Sequence, residues 1–303
     1  MNKQAILIMY HADFYVLEKL LKQIDSQYFD IFLHVDKKVE DFDFDYTKKL
    51  LKYSNLYFVK RLNVKWSSFS QIKCELTLLE AAVKNNYSYY HLISGNDMLL
   101  KHPKQIFNFF DNNYNYEFIG YQDFNDVTLE HLERIKYYHF LNGNRRHNNK
   151  FIRLMSNIIH HNLLVVQKWL GVNRLRGNNL QIRKGANWVS ITKEFACYVL
   201  SQKKFIFKTF RWSNCADELF IQTIAYNSKF KSKIFNKYNN EHRNVKRFID
   251  WNRGEPYIFT IDDYKQLIHS GCFFARKFST KKDKEIVDKL YEAVKDCDID
   301  DKS

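Results

Sequence analysis

The sequence of 303 residues is poor in proline, glycine and cysteine. Only 2 Pro and 8 Gly occur, so no Pro/Gly-rich linker divides the chain and one compact unit is expected. The five cysteines, Cys74, Cys197, Cys215, Cys272 and Cys297, lie far apart and form no CxxC pair. This scatter argues against a disulfide framework and a structural zinc site, and it favours a reducing compartment.

Long hydrophobic runs are also missing. The apolar run AILIMY near the N-terminus covers only residues 5–10, which is too short for a signal-peptide core or a membrane span. No later stretch reaches membrane-spanning length without charges. We therefore expect a cytoplasmic protein that at most touches the inner face of the cell membrane peripherally.

The usual nucleotide fingerprints do not occur. No GxGxxG follows the first apolar run and no GxxxxGK[ST] appears in the chain, so a nucleotide would have to be bound by another scheme. What the sequence does have is charge and aromatic bulk: a formal net charge of +14, 45% hydrophobic residues and 17% aromatic residues. This composition supports a sizeable core and an anionic partner, for which nucleic acid, an anionic lipid surface and a nucleotide diphosphate all qualify.

Short buried-strand patterns alternate with amphipathic helix patterns in the first part of the chain. The strands are predicted at 5–10, 30–36, 55–60, 89–94 and 116–121, and the helices at 15–24, 69–85 and 104–110. A further strand at 185–192 precedes a helix at 193–200. Such alternation predicts an α/β fold with a mostly parallel central sheet flanked by helices.

In parallel sheets, ligands bind beyond the carboxyl ends of the strands. The polar residues predicted at those ends are Tyr10, His11, Asp36, Lys37, Ser94, Asn96 and Asp97.

A basic segment at 142–178 interrupts the alternation. Its centre is an apolar helical stretch that contains His160 and His161. Neighbouring side chains on a helix point about 100° apart, so these two histidines are not expected to bind one metal ion together. The surrounding basic residues are Arg145, Arg146, Lys150, Arg153, Lys168, Arg174 and Arg176. One interpretation is an amphipathic helix resting on anionic lipid. The favoured one is an ordinary helix packed on the core with a solvated charged face.

The stretch CADELFIQTI at 215–224 places two carboxylates directly before an apolar helical run. Carboxylates suit the first turn of a helix, where they face the positive end of its dipole. Alternatively, one of them is a catalytic group that faces a cleft.

Eight motifs in order resemble one enzyme family: AILIMYHAD, IFLHVDKK, VKWSSFSQIKCELTLLEAA, YYHLISGNDMLLK, GANWVSITKEFACYVL, CADELFIQTI, RFIDW and FFARKF. They are similar to the core-2/I-branching β-1,6-N-acetylglucosaminyltransferases, the peptide xylosyltransferases and their bacterial relatives. The resemblance covers roughly residues 4–280. It implies a GT-A-type nucleotide-sugar fold, inversion at the anomeric carbon and no dependence on a metal ion or other cofactor.

The resemblance implies one glycosyltransferase domain over 1–303. Its nucleotide-sugar-binding half would be 1–125, and its acceptor-binding and catalytic half 126–280, with the basic helical insert near 142–178. A C-terminal helix and tail would occupy 281–303.

The matched motifs also imply roles for individual residues. Glu218 takes the place of the general base, and Asp217 is its orienting or helix-capping neighbour on the acceptor side. Lys277 would bind the diphosphate, since in an extended chain Arg276 points to the opposite side and is the more structural of the two. Arg253 is a further diphosphate candidate, although its alignment needs a small gap.

Other matched residues would recognise the nucleotide and the acceptor. Asp36 and His11 would frame the base or ribose, and Asp97, single where other GT-A enzymes have an acidic pair, would accept from a hydroxyl group. His11 is more often a packed strand-end residue than a ligand, and Asp97 could be an ordinary residue of a strand-end turn. Trp251 matches an aromatic that lies against the acceptor sugar, whereas Trp188 is expected in the core.

The expected function is transfer of GlcNAc or xylose from a UDP-sugar to a hydroxyl group of a glycan, free or lipid-linked, in surface polysaccharide synthesis. Vertebrate members have a Golgi anchor and several disulfides, and neither pattern occurs here, which suggests a bacterial form. The alternatives are a basic nucleic-acid-binding protein and a non-catalytic, sugar-binding member of the same fold. No RRM, KH or helix-turn-helix pattern favours nucleic acid as a partner.

Overall fold

The computed structural model describes residues 2–120, 129–145, 147–177, 179–238 and 241–296. The strands are β1 (Gln4–Tyr10), β2 (Phe29–Val35), β3 (Leu56–Phe58), β4 (Tyr89–Ser94), β5 (Asp97–Leu99), β6 (Ser190–Thr192), β7 (Arg247–Ile249) and β8 (Phe274–Arg276). The α-helices are α1 (Phe14–Ile24), α2 (Phe44–Lys49), α3 (Ser70–Ala82), α4 (Pro103–Asn112), α5 (Leu129–Lys136), α6 (Lys150–Trp169), α7 (Lys193–Ser201), α8 (Lys203–Phe210), α9 (Phe220–Tyr226), α10 (Glu241–Val245), α11 (Tyr264–His269) and α12 (Glu285–Asp296).

The central sheet has five strands in the order β3-β2-β1-β4-β6. Strand β1 runs parallel to both β2 and β4, and Ile6 lies opposite Ile31 on one side and His91 on the other. Strand β3 is also parallel, and only the short β6 runs antiparallel, against β4. The predicted α/β class with a mostly parallel sheet is therefore confirmed.

Alternation along β1 explains why helices cover both faces of this sheet. Side chains of successive strand residues point to opposite faces. Ile6 and Ile8 accordingly pack with α1, α4 and α12, whereas Ala5 and Leu7 pack with α3, α7 and α9. Burial on both faces is why the strand has a continuous apolar run.

A second, three-stranded sheet has the order β5-β8-β7. In its register Arg276 lies opposite Asp97 on one side and opposite Ile249 on the other. Strand β5 begins three residues after β4 ends. The small sheet therefore brings the C-terminal motif to the carboxyl end of the central sheet.

Two predicted strands are wrong in extent. Residues 116–121 contribute only isolated bridges at Glu117 and Phe118, and residue 121 lies outside the described residues. Glu117 is buried and its carboxylate accepts from the backbone N–H and the hydroxyl of Thr192, at 2.8 and 2.5 Å. The backbone of this segment pairs with β6 at Phe118 and Ser190, and the Glu117 side chain binds the end of that strand.

The predicted strand 185–192 contracts to the three residues of β6. The preceding backbone is engaged elsewhere, because Gly185 N–H donates to the carbonyl of Glu218 and the Ala186 carbonyl accepts from Gln222. These two hydrogen bonds hold residues 185–186 next to Glu218 and the start of α9.

The favoured interpretation of the basic segment is also wrong. Helix α6 forms there as predicted, but it buries only Ser156, His160 and Gln167, so its apolar side chains do not pack on the core. Among the described residues, no helix is both long and apolar enough to cross a membrane.

The proposed halves of the chain stay a prediction, because their boundary at 125–126 lies outside the described residues, as does the tail from 297 onwards.

Candidate active site

Five of the predicted site residues lie at the carboxyl end of the central sheet, namely His11, Asp36, Asp97, Arg276 and Lys277. His11 directly follows β1, and Asp36 directly follows β2. The His11 side chain reaches solvent, yet its pKa is lowered by loss of hydration and by the charges of Arg276, Lys38 and Lys277, partly offset by Asp36. His11 and Asp36 thus lie at the ends of neighbouring parallel strands, where the sequence predicts them.

Asp97 and Arg276 form a buried ion pair at this edge. Arg276 donates to Asp97 Oδ1 at 2.9 Å, while Ser94 N–H donates to Oδ2 at 2.9 Å. The guanidinium also lies 4.4 Å from the ring centre of Trp188, which is buried as predicted. Burial raises the pKa of Asp97, and Arg276 opposes this shift. Both groups therefore hold the small sheet against β4, and their contact with a nucleotide stays a prediction.

Lys277 follows β8 and is half-buried. Its backbone is fixed on both sides, because its carbonyl accepts from Phe259 N–H at 3.0 Å and its N–H donates to the Tyr257 carbonyl at 3.4 Å. Its ammonium acts on His11 electrostatically. A cation beside the end of β1 is well placed for a diphosphate.

Asp36 and Arg253 already have strong partners. Asp36 is buried and accepts from Lys38 N–H at 2.9 Å and Val64 N–H at 3.2 Å. Arg253 donates to Asp250 at 2.6 Å and to Asp263 at 2.7 Å, and these carboxylates raise its pKa. The ligand roles of both residues remain predictions.

A cavity of about 310 Å³ contains the predicted base and the predicted acceptor aromatic. Its lining residues are Lys184, Gly185, Ala186, Glu218, Glu241, His242, Val245, Arg247, Ile249 and Trp251. Trp251 is exposed, so its ring is available to a ligand. Because Ile249 lines the cavity and pairs with Arg276 across β7 and β8, the cavity adjoins the strand end that carries Arg276 and Lys277.

Glu218 sits on a 3₁₀ turn, Ala216–Glu218, that leads into α9. Its carboxylate is about one-third exposed, at 33%, and its Oε2 accepts from Arg134 at 3.0 Å. Its Oε1 has no hydrogen-bond donor among the residues that the structure describes. The carboxylate is thus oriented by one oxygen and open to the cavity through the other.

Sequence reasoning missed Arg134, Glu241 and His242. Arg134 lies 84 residues before Glu218 on α5, and no spacing rule connects positions so far apart. Glu241 and His242 on α10 likewise reach the cavity only through tertiary packing.

Asp217 points away from the cavity into the protein. It is buried and accepts from Gln71 of α3 at 2.7 Å. Burial and the charge of Glu218 raise its pKa to about 7. The neighbouring Glu75 is fully buried, and burial and Asp217 raise its pKa as well. This placement fits an orienting neighbour of Glu218, while contact of Asp217 with an acceptor stays a prediction.

Asp217→Asn should change how stability depends on pH. Because the pKa of Asp217 is raised on folding, the folded state binds this proton more tightly, and stability is lost as pH rises from about 4 to about 7. Asparagine can keep the bond from Gln71 and does not ionise. We expect the stability of the variant relative to the parent to increase by about 2 kcal/mol between pH 5 and pH 8, in urea unfolding.

The matched control is Asp41→Asn, since Asp41 is exposed. Its stability difference from the parent should be the same at both pH values. An Asp217→Asn difference that is equally independent of pH would show that Asp217 is ionised throughout.

Comparison with known proteins agrees with this geometry. The family model of the Core-2/I-Branching enzyme matches residues 5–268. Xylosyltransferase sqv-6 of Caenorhabditis briggsae is 22% identical over 291 residues, which cover 90% of this chain and 34% of that protein. Xylosyltransferase oxt of Drosophila pseudoobscura pseudoobscura is 24% identical over 288 residues, covering 86% and 30%. The chain thus spans about a third of these relatives, and the family match ends before Arg276 and Lys277.

Proposed function

The chain belongs to the core-2/I-branching enzyme family of glycosyltransferases, with a GT-A-like fold, and we propose that it transfers a sugar from a UDP-sugar to a glycan hydroxyl group with inversion. The observation that carries this proposal is the cavity shared by Glu218 and Trp251. It adjoins the strand ends where Arg276 and Lys277 stand beside His11. The proposed base Glu218 and the acceptor-binding Trp251 are therefore close to the cations.

The chemistry is a single displacement. The acceptor oxygen attacks the anomeric carbon, its proton passes to Glu218, and the bond from that carbon to the diphosphate oxygen breaks. UDP leaves with the electron pair, and its developing charge is stabilised by cations. One carboxylate is enough, because a diphosphate whose charge is neutralised leaves without protonation.

We propose that cationic side chains take this role without a metal ion. The support is the state of Asp97, whose two oxygens already accept from Arg276 and Ser94 inside the protein. A carboxylate engaged in this way is poorly suited to coordinate a cation. Lys277, next to the strand ends and beside His11, is the cation that we propose faces the diphosphate.

The donor is proposed to be UDP-GlcNAc or UDP-xylose. Xylose is supported by both relatives, which are named xylosyltransferases, and GlcNAc by the family. We further propose a bacterial enzyme of surface polysaccharide synthesis, at work on the cytoplasmic side. A glycan acceptor is supported by Trp251, because aromatic faces suit the C–H faces of sugars.

Calorimetric titration with UDP, in EDTA and then with Mn²⁺, tests the donor site. We expect UDP to bind in EDTA in preference to GDP and CMP. Lys277→Ala should weaken this binding by about 10- to 100-fold, because a hydrogen bond between two charged groups is lost. Lys281→Ala, an exposed lysine four positions later, is the matched control and should bind as the parent does.

Binding that requires Mn²⁺ would overturn the metal-free mechanism. Binding to no nucleotide would overturn the proposal itself and direct attention to nucleic acid or lipid as the anionic partner.

A further inference from the structure

Helix α6 turns its apolar side to solvent. Its exposed apolar residues are Phe151, Ile152, Leu154, Met155, Ile158, Ile159, Leu163, Val165, Val166 and Trp169, and Leu170 follows the helix end. At 100° per residue, Leu154, Ile158 and Val165 lie on the outward side together with Phe151 and Trp169. Trp169 is 84% exposed. An apolar face of this size, interrupted by Asn162, marks an interaction site.

Polar contacts fix the opposite side of the helix to the protein. Gln167 accepts from Tyr138 N–H at 2.7 Å and donates to the Tyr138 carbonyl at 3.0 Å. The ring nitrogens of His160 and His139 are 3.4 Å apart, and Lys168 donates to Glu133 at 2.9 Å. The helix therefore cannot turn its apolar face inward without breaking these bonds.

The stretch of sequence that contains this face is basic, and Glu133, just before that stretch, pairs with Lys168 of α6. Between Glu133 and Glu194 the sequence has no aspartate or glutamate. The basic residues in this interval are Arg134, Lys136, Arg145, Arg146, Lys150, Arg153, Lys168, Arg174, Arg176, Arg183, Lys184 and Lys193, of which residue 146 lies outside the described part. Lys150 and Lys168 share one edge of α6, next to its apolar face.

We propose that α6 is an interfacial helix that docks the protein on an anionic membrane. Its apolar side chains would enter the boundary between headgroups and acyl chains, while the lysines at its edge meet anionic headgroups. A helix with one apolar and one polar side lies in the plane of the membrane. Among the described residues, no helix is long and apolar enough to span it.

Charge favours the membrane over a second copy of the chain. A symmetric dimer would pair this face with itself. Two basic surfaces would then meet, and like charges would oppose the contact. An anionic lipid surface instead complements both the apolar face and its basic surroundings.

The docked helix would hold the cavity close to the membrane. Glu133 of α5 binds Lys168 of α6, and the next residue, Arg134, binds Glu218. An acceptor carried on a lipid would reach Glu218 from the same surface. The docking itself does not depend on the proposed function and is tested without any substrate.

Vesicle flotation tests the docking. The parent protein should float with vesicles of phosphatidylcholine and phosphatidylglycerol, and much less with phosphatidylcholine alone. Binding should weaken in about 1 M salt, where charges are screened within about 3 Å. On binding, the fluorescence of the exposed Trp169 should shift to the blue.

Two variants remove the apolar contact without touching the core. Trp169→Glu and Ile158→Asp should each lower partitioning by about tenfold or more, because an apolar side chain is replaced by a charge. The matched control is Tyr53→Glu, which makes the same kind of change at a ring that is 67% exposed. It should float as the parent does, and all three should keep the parent's circular dichroism.

Binding that both variants retain would overturn the proposal, as would equal binding to both vesicle types. If the parent binds neither vesicle but forms a dimer that Trp169→Glu dissociates, the face is a contact between copies of this chain.

Discussion

Glu218→Gln should lower kcat by about 10²–10⁴-fold, since that is the usual contribution of a positioned general base. Glutamine keeps the shape of the side chain and its oxygen can still accept from Arg134, but it cannot take up the proton of the acceptor hydroxyl. UDP affinity should stay within about threefold of the parent, because this carboxylate acts on the acceptor and not on the nucleotide. The measurement is steady-state transfer with the donor found by screening, together with the UDP titration.

The control for this variant is Glu80→Gln, which makes the same chemical change. Glu80 also forms an ion pair, with Lys203, but both are exposed and lie away from the cavity. This variant should keep the parent's kcat. Parent-like turnover in Glu218→Gln would rule out Glu218 as the base and leave Glu241 as the other carboxylate of the cavity.

The fold was predictable where burial is continuous. Strands β1, β2 and β4 are buried along almost their whole length, and a buried strand needs an apolar run. The segment 185–192 has a similar apolar pattern, yet only β6 forms there. Its first residues are held by Glu218 and Gln222, and such tertiary hydrogen bonds leave no local pattern in the sequence.

The site was predictable where it depends on strand ends and motifs. His11 and Asp36 lie together because parallel strands end at the same edge, and Glu218 and Trp251 were carried by the resemblance. Arg134 and the inward direction of Asp217 depend on how α5 and α3 pack. The outward apolar face of α6 was the less favoured of two interpretations, because periodicity shows which residues share a face, but not what that face contacts.

Arg276→Met should cost about 3–5 kcal/mol of stability at pH 8, because it leaves a buried carboxylate without its cation. The side chains of Arg276 and Asp97 are only 16% and 4% exposed. Methionine keeps much of the arginine's packing volume, so the loss reports mainly the charge. The measurement is the free energy of unfolding in urea.

The pH dependence separates this electrostatic cost from a packing defect. The pKa of Asp97 is already raised by burial, and removing the opposing charge of Arg276 raises it further. A raised folded pKa means that stability is lost as pH rises, so Arg276→Met should be less destabilised at pH 5 than at pH 8. The double variant Asp97→Asn/Arg276→Met should regain much of the loss, since neither member of this pair then carries a charge. Lys203→Met breaks a pair whose members are 47% and 44% exposed and should cost less than about 1 kcal/mol. An equal loss at both pH values, with no recovery in the double variant, would mean that Arg276 stabilises the small sheet through packing on Trp188 instead.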